Sequence, residues 1–285
     1  MKKMIAFVLA LLMVGAVMAA CGNNKAGNSS SSGSSSADSN SGKTEATGSA
    51  TGSDLDKVKA AGKLVVGITD FEPMDYHDEK GKWIGFDADM ASAFAASIGV
   101  EAEFVEIDWD NKILELNGGT IDCVWNGMTL TDEVTSAMSC SDPYCNNAQV
   151  VVVKKDVADQ YAKAEDCKSL KFAVESGSAG QEQAQAHGFT FTEVKDQATA
   201  LMEVASGTCD AAIIDSLMAG AMVGEGTGYA QLTYTASLNS EEYGVGFRKN
   251  SDLTAKCNEF FTSAKADGTI DNIAKTYGVQ AAVIK

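Results

Sequence analysis

The 285 residues carry 22 lysine and arginine against 39 aspartate and glutamate, a formal charge of −17, and Arg248 is the single arginine. A chain this acidic, with no basic cluster, does not neutralise a phosphate backbone, which excludes nucleic-acid binding. Hydrophobic residues make up 45%, which excludes disorder throughout and leaves room for one large or two modest domains.

Lys2 and Lys3 precede an apolar stretch over residues 4–20, with the charged start and short apolar body of a secretory signal. At about 17 residues it is marginal for spanning a bilayer. Met18-Ala19-Ala20-Cys21 resembles the lipobox of bacterial lipoproteins, with Met18 in the place where leucine is usual. That resemblance implies a signal peptide over residues 1–20, cleavage before Cys21 and lipid on Cys21. The alternative is a plain secretory signal followed by a chance cysteine. Residues 22–53 are almost wholly Gly, Ser, Asn, Ala and Thr and read as a flexible tether spanning roughly 30 Å. Loss of Lys2 and Lys3 leaves the remainder still more acidic, so lipid rather than charge is expected to hold the protein to the outer face of the cytoplasmic membrane.

From Lys63 onward strands and helices alternate. Lys63-Leu64-Val65-Val66-Gly67 reads as a buried strand. Residues 87–98 read as a helix, with Met90, Phe94 and Ile98 on one face and Asp87 as its N-cap. A strand over 103–107, a short helix over 110–116 and a strand over 121–125 complete a parallel βαβαβ unit. The scheme repeats with a strand over 170–174, a helix opening after Ser176-Gly177-Ser178-Ala179-Gly180, a strand over 189–194 and a helix over 197–206. Gly207-Thr208-Cys209-Asp210 then echoes Gly119-Thr120-Ile121-Asp122, each turn feeding an apolar strand. Two similar α/β lobes follow, with a cleft between them.

The run from Gln149 to Lys155 and the stretch from Tyr243 to Arg248 read as outward and return crossings between the lobes. Helices over 253–266 and 270–277 would then return to the first lobe. This predicts lobe 1 from residues 54–149 with 244–285, and lobe 2 from 150–243. Of the cysteines after Cys21, Cys123, Cys167, Cys209 and Cys257 suit buried free thiols, while Cys140 and Cys145 are close enough to pair in an exported protein. No spacing resembles a zinc site, and with His77 and His187 as the only histidines neither a metal centre nor another cofactor is expected.

The chain resembles the extracellular solute-binding proteins of family 3, receptors that deliver amino acids and related amines to ABC importers. The markers come in that family's order: Gly85-Phe86-Asp87-Ala88-Asp89-Met90, Ile107-Asp108-Trp109-Asp110, Gly119-Thr120-Ile121-Asp122, Gly127-Met128-Thr129-Leu130-Thr131, Ser141-Asp142-Pro143-Tyr144 and Asp267-Gly268-Thr269-Ile270. The resemblance implies a two-lobed, type II periplasmic-binding-protein-like α/β fold with two hinge crossings. It also implies a monomer that closes on a solute and docks on a membrane permease.

By the same resemblance, Phe71, next to Asp70 in the first loop, covers the ligand, and Trp109 forms a second apolar wall. Asn126, Gly127 and Thr129 supply hydrogen bonds from a strand end, and Asp215 pairs with an ammonium group. Core packing is the alternative for both aromatics, and a helix N-cap is the alternative for Asp215. The loop around Ser178 and Ala179 is an anion receiver, with glycines for close approach and the first amides of a helix unpaired; a simple turn is its alternative. Where the family's amino-acid receptors place an arginine on the ligand carboxylate, this chain has Val134. Losing such a bond costs about 1.5–3 kcal/mol unless it is replaced. Either backbone amides hold the carboxylate, or the solute is an amine without one. Arg248 is expected to serve the hinge surface instead.

The rival functions are a sensor docking on a membrane signalling protein, and a dehydratase-like enzyme on the same fold. No phosphate loop ending in Gly-Lys-Ser/Thr occurs, so ATP hydrolysis is assigned to the partner.

Overall fold

The computed structural model describes residues 53–285, so the predicted signal, Cys21 and the tether up to residue 52 lie outside the described residues. Ser53 accepts a hydrogen bond from Asp56 N (3.1 Å) and caps α1 (Asp54–Ala61), which ends at Gly62 in the left-handed conformation. There follow β1 (Lys63–Ile68), a small hairpin of β2 (Tyr76–His77) and β3 (Trp83–Ile84), α2 (Phe86–Ser97), β4 (Glu101–Glu106), α3 (Lys112–Gly118) and β5 (Cys123–Val124). Strands β4, β1 and β5 lie side by side and parallel, the expected βαβαβ unit. Helix α4 (Asp132–Ala137) leads to β6 (Ser139–Cys140).

Asp87 is not the N-cap of α2. The helix starts one residue earlier, with Gly85 at the cap position and φ of 133°, where a β-carbon would collide with the Met74 carbonyl. Asp87 is wholly buried, and its Oδ2 accepts bonds from Gly127 N (2.6 Å) and Tyr144 OH (2.6 Å). It ties the helix to the strand end beyond β5.

The chain leaves the first sheet through β7 (Cys145–Asn147) and enters β8 (Gln149–Lys154), β9 (Lys171–Glu175), α5 (Ala179–His187), β10 (Thr190–Val194), α6 (Gln197–Ser206), β11 (Ala211–Asp215), α7 (Ser216–Met222) and β12 (Leu232–Ser237). It returns through β13 (Glu241–Tyr243), antiparallel to β7, then β14 (Gly246–Phe247), α8 (Leu253–Ala266) and α9 (Thr269–Tyr277). The first sheet has the order β4-β1-β5-β14-β6 and the second β10-β9-β11-β8-β12. Each has three parallel strands followed by an antiparallel one beside the third. Phe261 of α8 packs on Trp125 and Tyr144 at centroid distances of 5.6 Å, so the last helices cover the first sheet.

The two crossings are the ribbon β7–β13, not the run from Gln149 to Lys155. That run is β8, a strand of the second sheet flanked on both sides by β11 and β12. Val150 and Val152 face one hydrophobic cluster and Val151 and Val153 another. Burial on both faces removes the polar alternation of a half-exposed strand, which is why the segment is apolar throughout.

The echoed Gly-Thr-x-Asp turns do the same work twice. Gly119 and Gly207, with φ of 78° and 84°, end α3 and α6 in the left-handed conformation. Asp122 Oδ2 then accepts from Val65 N (3.0 Å) and Asp210 Oδ2 from Lys171 N (2.9 Å), so each carboxylate pins the entry of the third strand to the first. Arg248 lies away from the hinge, bound to Asp54 and Asp122 (both 3.0 Å) and to the Ile121 carbonyl (2.7 Å). It fastens α1 to the first sheet's lower edge. The six cysteines of the described residues are free thiols, Cys140 and Cys145 included.

Candidate functional site

The carboxyl ends of the parallel strands of the two sheets face each other across a narrow cavity lined by residues of both, the position in which α/β sheets present ligand sites. Phe71 follows β1, Trp109 and Lys112 follow β4, and Thr129 follows β5. Opposite them Glu175 ends β9, Ser178 caps α5 and Asp215 ends β11.

Most of the residues expected at the site come together here. Phe71 and Trp109 are 3% and 7% exposed and form apolar walls, Phe71 edge-on to Tyr243 with centroids 6.4 Å apart. Gly127 makes room for Phe71, because a β-carbon there would stand 2.5 Å from the ring. Val134 lines the cavity and belongs to the core cluster around Trp109 and Met128, so an apolar surface stands in the arginine's place. Asp70 is exposed and is not among the lining residues.

The strand end after β5 differs from expectation in its bonding. Asn126 turns its amide inward, donating to the Thr69 carbonyl (3.0 Å) and to Asp75 Oδ2 (2.8 Å) and accepting from Thr69 Oγ1 (2.7 Å). Gly127 N is bound to Asp87. Both donors therefore serve two carboxylates buried beneath the cavity floor. Burial pushes Asp75 and Asp87 upward, Asp87 to about 7. Thr129 Oγ1 donates to Glu241 Oε1 (2.9 Å).

Asp215 occupies the N-cap position of α7 without capping it. Its carboxylate instead accepts from the side-chain amides of Asn147, Gln149 and Gln197 and from Tyr243 OH. Asn147 and Gln149 also donate to Glu241 Oε1, at 2.6 and 2.8 Å, and Gln197 reaches Glu175 Oε2 at 3.5 Å. Three carboxylates thus share one set of amide donors. Burial, then Glu241's charge, raises Asp215 to about 7, and burial, then Asp215's charge, raises Glu175 to about 8. Glu175 Oε1 is buried without a partner.

Across the cleft Lys112 Nζ donates to the Gly177 carbonyl (2.7 Å) and lies 4.9 Å from the centre of the Trp109 ring. It is 4% exposed, and burial lowers its pKa. Gly177, at φ of 69°, brings its backbone so near Asp110 that a β-carbon would stand 2.8 Å from Asp110 Cα. Lys195 pairs with Glu106 at 2.7 Å, and the two faces meet at the rim. Ser178 caps α5 by accepting from Gln181 N (3.1 Å), while Ala179 and Gly180 begin the helix, where amides lack intrahelical partners.

Lys112, Glu175, Gln197 and the ribbon residues Asn147, Glu241 and Tyr243 escaped sequence reasoning. For Glu175 a signal existed: like Asp215, it is a carboxylate closing an apolar strand, Phe172-Ala173-Val174, just before a loop. Nothing local distinguished the others from surface residues.

Residues 64–280 match the description of bacterial extracellular solute-binding proteins, family 3. The chain belongs to this family. The L-cystine-binding protein TcyJ of Escherichia coli K12 is 29% identical over 227 residues, covering 78% of this chain and 85% of TcyJ. The arginine-binding extracellular protein ArtP of Bacillus subtilis is 30% identical over 241 residues, 82% of this chain and 91% of ArtP. An ABC uptake transporter substrate-binding protein of Streptococcus pneumoniae, solved with bound histidine, superimposes with a TM-score of 0.76 at 28% identity, covering 82% of this chain and 99% of that one. The superposition on that binding protein shows the type II periplasmic-binding-protein fold, here with two mixed sheets and their helices.

Proposed function

We propose that the protein is a lipid-anchored substrate-binding protein of an ABC importer, taking up an amino acid or a related small amine between its lobes and presenting it to a membrane permease. The observation that carries this reading is Asp215, a buried carboxylate oriented by four donors at the mouth of β11 and lining the cavity. It is a fixed receiver for an ammonium group, and Phe71 and Trp109 supply apolar walls for the rest of the molecule. In place of the missing arginine, Lys112 and the first amides of α5 are the receivers for a carboxylate. Thr129, Ser178 and Ala179 border the space between the two ends, and Asn126 and Gly127 contribute by shaping its floor.

Closure traps the ligand by drawing Gly177 onto Asp110 and Lys112 onto the Gly177 carbonyl, with the β7–β13 ribbon as hinge; ligand binding shifts a population and no bond is made or broken. In this reading the protein is not an enzyme, and lobe 1 comprises residues 54–149 and 244–285, with lobe 2 between. Cys21 carries the lipid and residues 22–53 form the tether. The test is a thermal-unfolding screen against amino acids, decarboxylated amines and dipeptides. Stabilisation by one class that rises with its concentration is expected; the absence of any shift, or turnover of a bound acid, would overturn the reading.

A further inference from the structure

The charge of the cavity is one-sided. Glu133, Glu175, Glu182 and Asp215 line it, Glu241 bonds into the Asp215 network, and Lys112 is the one cationic side chain in the lining. One ammonium does not balance four lining carboxylates. The Lys112 ammonium donates to the Gly177 carbonyl and lies over the Trp109 ring, and no carboxylate of the described residues stands within 4.0 Å of it.

Glu175 is the sharpest part of this imbalance. It is 3% exposed, it lines the cavity, one oxygen receives only a long bond from Gln197, and the other receives none. A buried carboxylate in that state is costly to ionise, and it faces Asp215, Asp196 and Lys112 as its charged neighbours. A zwitterion with one ammonium and one carboxylate brings no net charge to offset it. A cargo with a second cationic group does.

We propose that the cargo is an organic dication, a small molecule with two positively charged nitrogen groups, one received by Asp215 and the other by Glu175. The inference rests on the amine-binding reading above and narrows its substrate class. Both a cationic amino acid and a free diamine have this chemistry, and they differ in whether a carboxylate engages Lys112.

The test is titration calorimetry on the full chain at pH 7.5 with 1,4-diaminobutane, lysine and arginine, set against alanine, serine and glutamine. Dications are expected to bind at least tenfold more tightly than the neutral amino acids, and to release protons, seen as a dependence of the binding heat on the buffer's ionisation enthalpy. Glu175→Gln keeps the shape and removes the charge. It should weaken dication binding roughly tenfold or more and so narrow the preference over neutral amino acids. Glu175→Asp, which keeps the charge, should retain the preference and guards against a fold defect in the glutamine variant. Preference for 1,4-diaminobutane over lysine assigns the diamine, and the reverse assigns the cationic amino acid. Tight binding of a neutral amino acid, or an unaltered preference in Glu175→Gln, would overturn the inference while the receptor reading stands. Binding of none of these compounds would overturn both.

Discussion

At the scale of single residues, Asp215 concentrates the chemistry of the site. Asp215→Asn is expected to weaken amine binding at least a hundredfold, because it removes a charge that is both desolvated and oriented. Loss of ligand-induced stabilisation with an unchanged unliganded transition is the result sought; an unchanged titration would take Asp215 out of the site. The buried acids also set how stability follows pH. Asp87 and Asp215 are raised to about 7 and Glu175 to about 8 by burial. In the unfolded chain carboxylates titrate near 4, so between there and pH 8 the folded state binds more protons. Stability is therefore greatest below the unfolded value and falls as pH rises through 7–8. The unliganded protein should melt several degrees higher at pH 5.5 than at pH 8, and Asp87→Asn should flatten part of that slope. A melting temperature that rises with pH would contradict the assignment. Of these residues Asp215 was legible in the sequence because a carboxylate at the end of an apolar strand is an anomaly. Asp87 was visible too but misassigned, since proximity to a helix start suggests a cap, while its true partners, Gly127 and Tyr144, are 40 and 57 residues away.

Loops and strands tell a different story. Gly177 sits between β9 and α5 at φ of 69°, with Asp110 against it from the other lobe. Gly177→Ala introduces both left-handed strain and a collision that exists only when the cleft is shut. It should lower ligand affinity roughly tenfold and leave each lobe folded, which calorimetry together with circular dichroism would separate. Equal affinity would mean that the loop does not close on Asp110. The sequence revealed this loop through its glycines, and the helix expected over residues 197–206 is observed as α6. It could not reveal that Gln149–Lys154 is an inner strand of the second sheet, because the apolar run required by two-sided burial looks like any hydrophobic connection until its neighbours are known. Helix α1 was missed for the opposite reason. It buries only Val58 and draws on contacts such as Arg248 with Asp54, nearly 200 positions apart in the chain.

For the molecule as a whole, the two sheets with like strand order enclose a cleft for which the ribbon joining them is the proposed hinge, and the strong negative charge leaves lipid as the means of attachment proposed for residue 21. Labelling of cells with a fatty-acid analogue should mark the protein, and Cys21→Ser should abolish the label and shift the protein from membrane to soluble fractions. Labelling that survives the substitution would refute the anchor. Repetition of local signals was enough for the sequence alone to determine the two-lobed α/β class and the family: paired Gly-Thr-x-Asp turns, alternating strand and helix periods, and motifs in fixed order each report on neighbours close in the chain. The tertiary structure decided what depends on distant partners. It bonded the amides of Asn126 and Gly127 to a buried carboxylate pair beneath the cavity they line, turned Lys112 across the cleft, and set Glu175 beside Asp215. Burial and charge at a site are sums over groups brought together by folding, and no window of sequence contains them.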